Sequence, residues 1–218
     1  MEKELTQDPI NIVKVVLFGP ESTGKTTLSR HLARYYNTVW APEFAREYLQ
    51  EKWNNERKTC EKEDLIPIAI GQMKLENALA KKADKVLICD TDLLETKVYS
   101  EEFYGGFVDD TLNKAAKENT YDLYLLTYID TPWEEDDLRD RPQQRLEMFT
   151  AFENALKQHN KNYILLKGDK ETRLKKATKA IDNIIAEKDN LHSFSDSLID
   201  LDRNFMHQNN DFGTSLDY

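Results

Sequence analysis

An α/β fold built on a parallel sheet is what this sequence predicts, and three observations predict it. Short apolar runs of β type alternate with segments whose apolar residues fall three and four apart, the pattern of strands joined by crossover helices. The first such run, Val15-Val16-Leu17-Phe18, opens directly into Gly19-Pro20-Glu21-Ser22-Thr23-Gly24-Lys25-Thr26-Thr27, which matches GxxxxGK[ST]. At 218 residues and 39% hydrophobic, the chain can bury one α/β core with little left for a second.

The matching loop is a P-loop, and its residue types suit the chemistry. Gly19 and Gly24 let the backbone curl so that its N–H groups face phosphate oxygens, and the helix that follows adds its positive end. Lys25 has the length to reach β- and γ-phosphates, and Thr26 can offer its hydroxyl to Mg²⁺. A chance Gly-Lys-Thr turn fits the context poorly, because Ile12 to Phe18 reads as a buried strand and Leu28, Leu32 and Tyr35 recur at helical spacing behind it. Gly19, Glu21, Ser22, Thr23, Gly24, Lys25, Thr26 and Thr27 are therefore the candidate nucleotide-binding residues, with ATP and Mg²⁺ as the implied ligands.

Charge and cysteine usage narrow the function class. A net charge of -10 argues against a nucleic-acid footprint, which needs a clustered basic face. No apolar run approaches a membrane span, and Met1 to Asn11 is polar, so a cytoplasmic protein without a membrane partner is expected. Cys60 and Cys89 lack CxxC spacing, and the four histidines are scattered, which speaks against a structural metal site.

After the first helix, Thr38 to Trp40 reads as a short second strand running into Pro42-Glu43-Phe44-Ala45-Arg46-Glu47. Pro42 suits a first helical turn, and Glu43 and Arg46, three apart, share a face. On an arbitrary helix that pair would be a surface ion pair. At the carboxyl end of a strand beside the P-loop strand, it lies where α/β sheets bind ligands, which favours a functional role.

A helical pattern from Asp64 to about Lys82 carries Gln72 on an otherwise apolar stripe, so its amide caps something buried or points at a ligand. Lys85 to Asp92 is a hydrophobic strand ending in acid, as a Walker B carboxylate requires. Asp90 is the candidate for the metal side, and Asp92 could trade places with it or cap the next helix. Tyr99, Phe103 and Tyr104 read as core with a share in a pocket wall. A helix from Asp109 to Glu118 and a fourth strand from Leu123 to Ile129 follow.

Arg139, Arg141 and Arg145 then cluster in an otherwise acidic stretch. Beside a P-loop, such a cluster is expected to form a lid whose guanidinium groups stabilise the transferred phosphoryl group. Leu146 to His159 reads as a helix, Tyr163 to Leu166 as a fifth strand, and Gly168-Asp169-Lys170 as a turn suited to an adenine. A last helix from Glu171 to about Lys188 ends the domain. The expected organisation is an extension over 1–11, a P-loop domain over 12–188 and an acidic, flexible tail over 189–218, which leaves room for a homo-oligomer.

Taken together, Gly19 to Thr27, Pro42 to Glu47, Cys89-Asp90-Thr91-Asp92 and the arginine stretch resemble the ribosylnicotinamide kinase domain of NadR-type proteins over about residues 12 to 186. The resemblance implies a P-loop nucleoside-kinase-like fold with a five-stranded parallel sheet. It also implies transfer of the γ-phosphate of ATP to the 5′-hydroxyl of nicotinamide riboside, giving nicotinamide mononucleotide.

On that resemblance Glu43 takes the hydroxyl proton, Lys25, Arg139 and Arg141 act on the phosphates, and Trp40, Phe44, Arg46, Gln72 and Asp92 are candidates for the nucleoside. Members often carry a nucleotidyltransferase domain first. The stretch ahead of Val15 is too short for one, and no HxGH signature occurs. Two other readings share the phosphate-side residues: a kinase for another nucleoside or small alcohol, and a non-catalytic ATP-dependent sensor.

Overall fold

The structure is a computed structural model and describes residues 2–139 and 142–210. Five parallel strands, β1 (Val13–Phe18), β2 (Trp40–Ala41), β3 (Val86–Asp90), β4 (Leu123–Thr127) and β5 (Tyr163–Leu166), form one sheet in the order β2-β3-β1-β4-β5. Between them run α1 (Lys25–Tyr35), α2 (Phe44–Glu56), α3 (Leu65–Ala80), α4 (Leu93–Phe103), α5 (Asp110–Glu118) and α6 (Arg145–Gln158), followed by α7 (Lys170–Asn210). The five-stranded parallel sheet with flanking helices is the architecture the sequence predicts.

Every residue of β1, β3 and β4 is buried, as expected of parallel strands covered on both faces. Lys14 is the polar exception on β1. Its ammonium lies 3.5 Å from Glu76 of α3, and Glu76 also accepts from the Tyr121 hydroxyl at 2.7 Å and the Gln7 amide at 3.0 Å. The first residues thus belong to the packed body. Leu5 is fully buried, and its carbonyl accepts from Asn119.

An aromatic stack supports the end of β1 nearest the P-loop. Phe18 meets Tyr124 and Phe152 edge to face, with centroids 5.5 and 5.0 Å apart, and Phe152 meets Tyr99 at 5.2 Å. Edge-to-face pairs set the positive rim of one ring against the negative face of another.

Because all five strands run the same way, their carboxyl ends gather on one edge of the sheet. The chain reaches β4 from β3 by passing β1, so the crevice outside β1 is the topological switch point where such sheets bind ligands. Two element boundaries differ from the sequence reading. The second strand begins at Trp40, because the Thr38 hydroxyl donates to Val86 O at 2.7 Å and pins the approach.

The last helix continues to Asn210 instead of ending near Lys188. No glycine or proline occurs from residue 170 to 210, and Leu191, Phe194, Leu198, Leu201 and Phe205 recur three and four apart, so the polar composition of this stretch contains nothing that stops a helix. Residues 211–218 of the expected tail lie outside the described residues. The chain divides into two compact units, residues 1–181 and 182–218, a division that falls within α7 and ahead of the boundary read from the sequence. Among the described residues no helix is long and apolar enough to cross a membrane.

One close approach fixes how α2 enters the sheet edge. A Cβ added at Gly71 of α3 would lie 2.1 Å from Cε1 of Phe44, so the absence of a side chain there seats the Phe44 ring. Gly71→Ala gains about 1 kcal/mol of helix propensity. Overpacking against a ring costs about 1–3 kcal/mol, and the clash is expected to win. Gly71→Ala should therefore lower the urea midpoint, and an unchanged or raised midpoint would show that Phe44 is free to move away.

Candidate active site

At the carboxyl edge, the loop after β1 encloses the end of its own lysine. Gly19 has φ +133°, and a Cβ there would lie 2.8 Å from Thr127 Oγ1, so β4 can approach only a glycine. Gly24 at φ +84° turns the loop into α1. Thr23 shares a hydrogen bond with Thr127 at 2.7 Å and donates to Pro20 O at 2.7 Å, so its side chain shapes the loop. Gly19 likewise contributes conformation and does not border the cavity.

Lys25 is buried, and its ammonium donates to Gly19 O at 2.6 Å and Pro20 O at 3.1 Å while lying 3.1 Å from Glu95 of α4. Burial would lower its pKa, but the carboxylates of Glu95, Glu43 and Asp90 outweigh burial and raise it.

A cavity of about 1360 Å³ opens outside β1, bordered by Glu21 to Thr27, Arg30, Trp40, Phe44, Asp90 and the turn Gly168 to Glu171. A second, of about 170 Å³, is bounded by Leu65, Ile68, Tyr99, Phe103 and Tyr104 together with the carboxylates of Glu21, Glu43 and Glu95. Glu43 borders both. It stands at the N-cap position of α2 in extended conformation, and Gln72 clamps the backbone on either side of it. Gln72 Oε1 accepts from Phe44 N at 2.8 Å, and its Nε2 donates to Pro42 O at 3.3 Å. The Gln72 amide thus serves the backbone around Glu43 while its side chain also borders the small cavity.

The two acids after β3 separate cleanly. Asp92 is buried, caps α4 through Glu95 N at 3.0 Å and accepts from the Tyr124 hydroxyl at 2.7 Å, and it borders neither cavity. The expected nucleoside contact from Asp92 is therefore not what this geometry provides. Burial raises its pKa to about 6, against those two hydrogen bonds. Asp90 borders the large cavity, and neither of its buried carboxylate oxygens makes a hydrogen bond of ordinary geometry. Burial, reinforced by Glu43, lifts its pKa to about 6, with the Thr26 hydroxyl, Lys25 and Arg30 pulling the other way. The buried Asp90 carboxylate and the exposed Thr26 hydroxyl on one wall form an oxygen donor set suited to a hard divalent cation.

The arginines behave differently from a lid. Arg46 makes a two-pronged pair with Asp136, at 2.7 and 3.1 Å, and Arg139 lies 3.2 Å from the same carboxylate while donating to Glu134 O at 2.8 Å. Arg145 donates to Thr131 O at 3.0 Å and Ser22 O at 3.1 Å, bracing the segment after β4 onto the P-loop. Arg139 borders the large cavity while tied to Asp136 and Glu134, and Arg145 ties neighbouring loops together. Arg141 lies outside the described residues.

Two residues at this edge escape sequence reasoning. Arg173 is buried and donates to Thr23 O at 2.6 Å, to Tyr128 O at 3.0 Å and to Asp130, whose other oxygen takes Gly168 N. It follows the turn after β5 by only a few residues, and no motif marks it. Glu95 sits three residues after the Asp92 cap, where Asp-x-x-Glu reads as an ordinary capping box. Its carboxyl instead crosses to Lys25. Trp40 borders the large cavity with Arg30 over its ring at 5.2 Å, and Phe44 borders the same cavity.

Residues 14–173 match the protein family described as AAA domain. The chain is 31% identical over 131 residues to the trifunctional NAD biosynthesis/regulator protein NadR of Salmonella typhimurium, a match covering 60% of this chain and 32% of that protein. The chain therefore spans a minor part of that relative's length. Its fold is similar to a crystal structure of NadR protein in complex with NR, with TM-score 0.65, 23% identity, and 79% of this chain and 50% of that chain covered. It is also similar to thymidylate kinase from Ehrlichia chaffeensis, with TM-score 0.56, 16% identity, and 80% and 100% covered.

The burial of the Asp90 carboxylate has a measurable consequence. Its folded pKa near 6 lies above the ordinary carboxylate value, so its charge is penalised by folding. The penalty is absent below the unfolded pKa of about 4 and complete above about 6, where it amounts to about 2–3 kcal/mol. Asp90→Asn should stabilise the ligand-free protein by about that much at pH 7 and by little at pH 4. Chemical denaturation at the two pH values checks this, and equal effects at both would mean that Asp90 is not held as a buried charge.

Proposed function

The chain belongs to the AAA-domain family, and from that premise we propose that it is an ATP-dependent kinase transferring the γ-phosphate of ATP to the 5′-hydroxyl of nicotinamide riboside. The product is nicotinamide mononucleotide, which places the reaction in NAD salvage. The similarity to NadR supports the chemistry, and one observation in this chain carries it: Glu43, with its backbone flanks clamped by Gln72, borders both the large cavity lined by the P-loop and the small aromatic one, as Glu21 of the loop also does. A base for this reaction must stand at such a junction, within reach of a sugar hydroxyl on one side and a γ-phosphorus on the other.

In this mechanism the triphosphate lies along Glu21 to Thr27, with the loop N–H groups and the start of α1 facing its oxygens. Lys25 leaves the Gly19 and Pro20 carbonyls for the β- and γ-phosphates. Thr26 and Asp90 would hold Mg²⁺, which when bound would neutralise charge developing on the transferred phosphoryl group. The ribose 5′-oxygen forms its bond to the γ-phosphorus as the bond to the β–γ bridging oxygen breaks, and the hydroxyl proton passes to Glu43. Phosphoryl transfer of this kind rests on positioning more than on a strong base, which suits a carboxylate whose flanks Gln72 clamps.

The small cavity supports the choice of acceptor. An apolar, aromatic enclosure bordered by the acidic side chains of Glu21 and Glu43 favours a flat ring that carries positive charge, as nicotinamide riboside does, over a neutral or anionic one. The adenine of ATP is assigned to the Gly168 to Glu171 turn, which borders the large cavity.

Purified protein given ATP, Mg²⁺ and a panel of nucleosides tests the reading by product formation. Nicotinamide mononucleotide is the expected product. Turnover of a deoxynucleoside or a small alcohol with nicotinamide riboside untouched would overturn the acceptor, and nucleotide binding without any transfer would favour a sensor. Glu43→Gln is expected to lower kcat by about 10²–10⁴-fold while KM for the nucleoside changes little. Full turnover in that variant would remove Glu43 as the base.

A further inference from the structure

The phosphate loop and the small cavity meet at one side chain that the mechanism above does not use. Glu95 is buried, its Oε1 lies 3.1 Å from Lys25 Nζ, and its Oε2 makes no hydrogen bond although it is shielded from solvent. With Gly19 O and Pro20 O, this carboxyl holds the lysine on three sides. A lysine so tied cannot at the same time neutralise a triphosphate. Of the three restraints, the two carbonyls are neutral. The charged carboxylate is the strong one, because a charge-assisted bond away from water exceeds a neutral hydrogen bond.

We propose that Glu95 is a positioning residue that, when ionised, holds Lys25 off the triphosphate site, so that ATP binds by drawing the lysine to its phosphates while Glu95 takes a proton from solvent. The inference rests on the reading that the P-loop binds ATP, and it is independent of the acceptor. Glu95 is suited to the part. It faces Lys25 from the loop, Glu43 from the start of α2, Asp92 and Tyr99 on its own helix, and, across the small cavity, Glu21 and Cys60.

Burial lifts its pKa to about 8 against the pull of Lys25, with Glu43 and Asp92 reinforcing the rise. A bound triphosphate adds negative charge and removes the lysine, so the proton is held more tightly in the complex than in the free protein. Affinity must then fall as pH rises above about 8, by at most about tenfold per pH unit for one linked proton. Among the neighbours with a displaced pKa, Asp90 and Asp92 ionise near 6, below that range, burial holds Tyr99 well above its ordinary value and raises the Cys60 thiol, and Lys25 is raised. The terminal phosphate, with a second pKa of about 6, is already fully charged.

Calorimetric titration of the full chain with a non-hydrolysable ATP analogue and Mg²⁺, from about pH 7 to about pH 9.5, tests this. At about pH 8.5, two buffers of different ionisation enthalpy would also count the protons taken up. The wild type is expected to lose affinity by up to about tenfold per pH unit above about 8 and, at about pH 8.5, to take up about three-quarters of a proton. Glu95→Gln, which keeps the shape and a lysine-accepting oxygen, should lose both the slope and the uptake. A flat wild-type profile with no uptake overturns the proposal without any variant, and so does an unaltered slope in Glu95→Gln. Absence of nucleotide binding at every pH would remove the kinase reading together with this one, whereas binding with a flat profile removes this one alone.

Discussion

Everything at the candidate site depends on β1 being hydrogen-bonded on both sides. β3 holds it from Val13 to Leu17 and β4 from Val15 to Phe18, so the strand that delivers the phosphate loop has no free edge and no freedom of register. The pairing sets Leu17 opposite Asp90. The carboxylate is thereby placed beside the loop by the ladder itself and not by any contact of its own. Phe18, packed edge to face on Tyr124 and Phe152, then anchors the last residue before the turn.

From that fixed edge follows an unusual concentration of charge. Lys25, Asp90 and Glu95 are buried beside the half-buried Glu43, and the acids outnumber the base. Isolated buried charges are costly, and raised carboxyl pKa values are how this cost is expressed in the free protein. The arrangement is that of a site built for the complex. A divalent cation would partner Asp90, a phosphate would partner Lys25, and a cationic ring would meet the acids of the small cavity. The cost of gathering these charges and the proposed affinity for ligands are two views of the same electrostatics.

The arginines show how little residue type says about partner. Four of them near the sheet edge, Arg46, Arg139, Arg145 and Arg173, spend their donors on backbone carbonyls and on Asp136 and Asp130 of neighbouring segments. Guanidinium groups suit this work because their donors are fixed in a plane and can hold two segments at once. The stretch after β4 is tied to α2 through Arg46 and to the P-loop through Arg145, and the turn after β5 is tied to both the P-loop and Asp130 through Arg173.

Local pattern by itself determined the strand-and-helix alternation, the P-loop, the acid ending the third strand and the Pro42 to Glu47 element, because each is written in consecutive residues whose spacing obeys a backbone period or a backbone turn. Gly19 and Gly24 could be assigned for the same reason. The tertiary structure alone decided which of two neighbouring acids is open and which is a cap, since Asp92 meets a tyrosine more than thirty residues away while Asp90 meets none. It alone turned Gln72 into a clamp, the expected lid arginines into braces, and Glu95 from an apparent helix cap into the partner of the P-loop lysine. Those roles depend on what a side chain finds across a crossover connection, and distance along the chain carries no record of it.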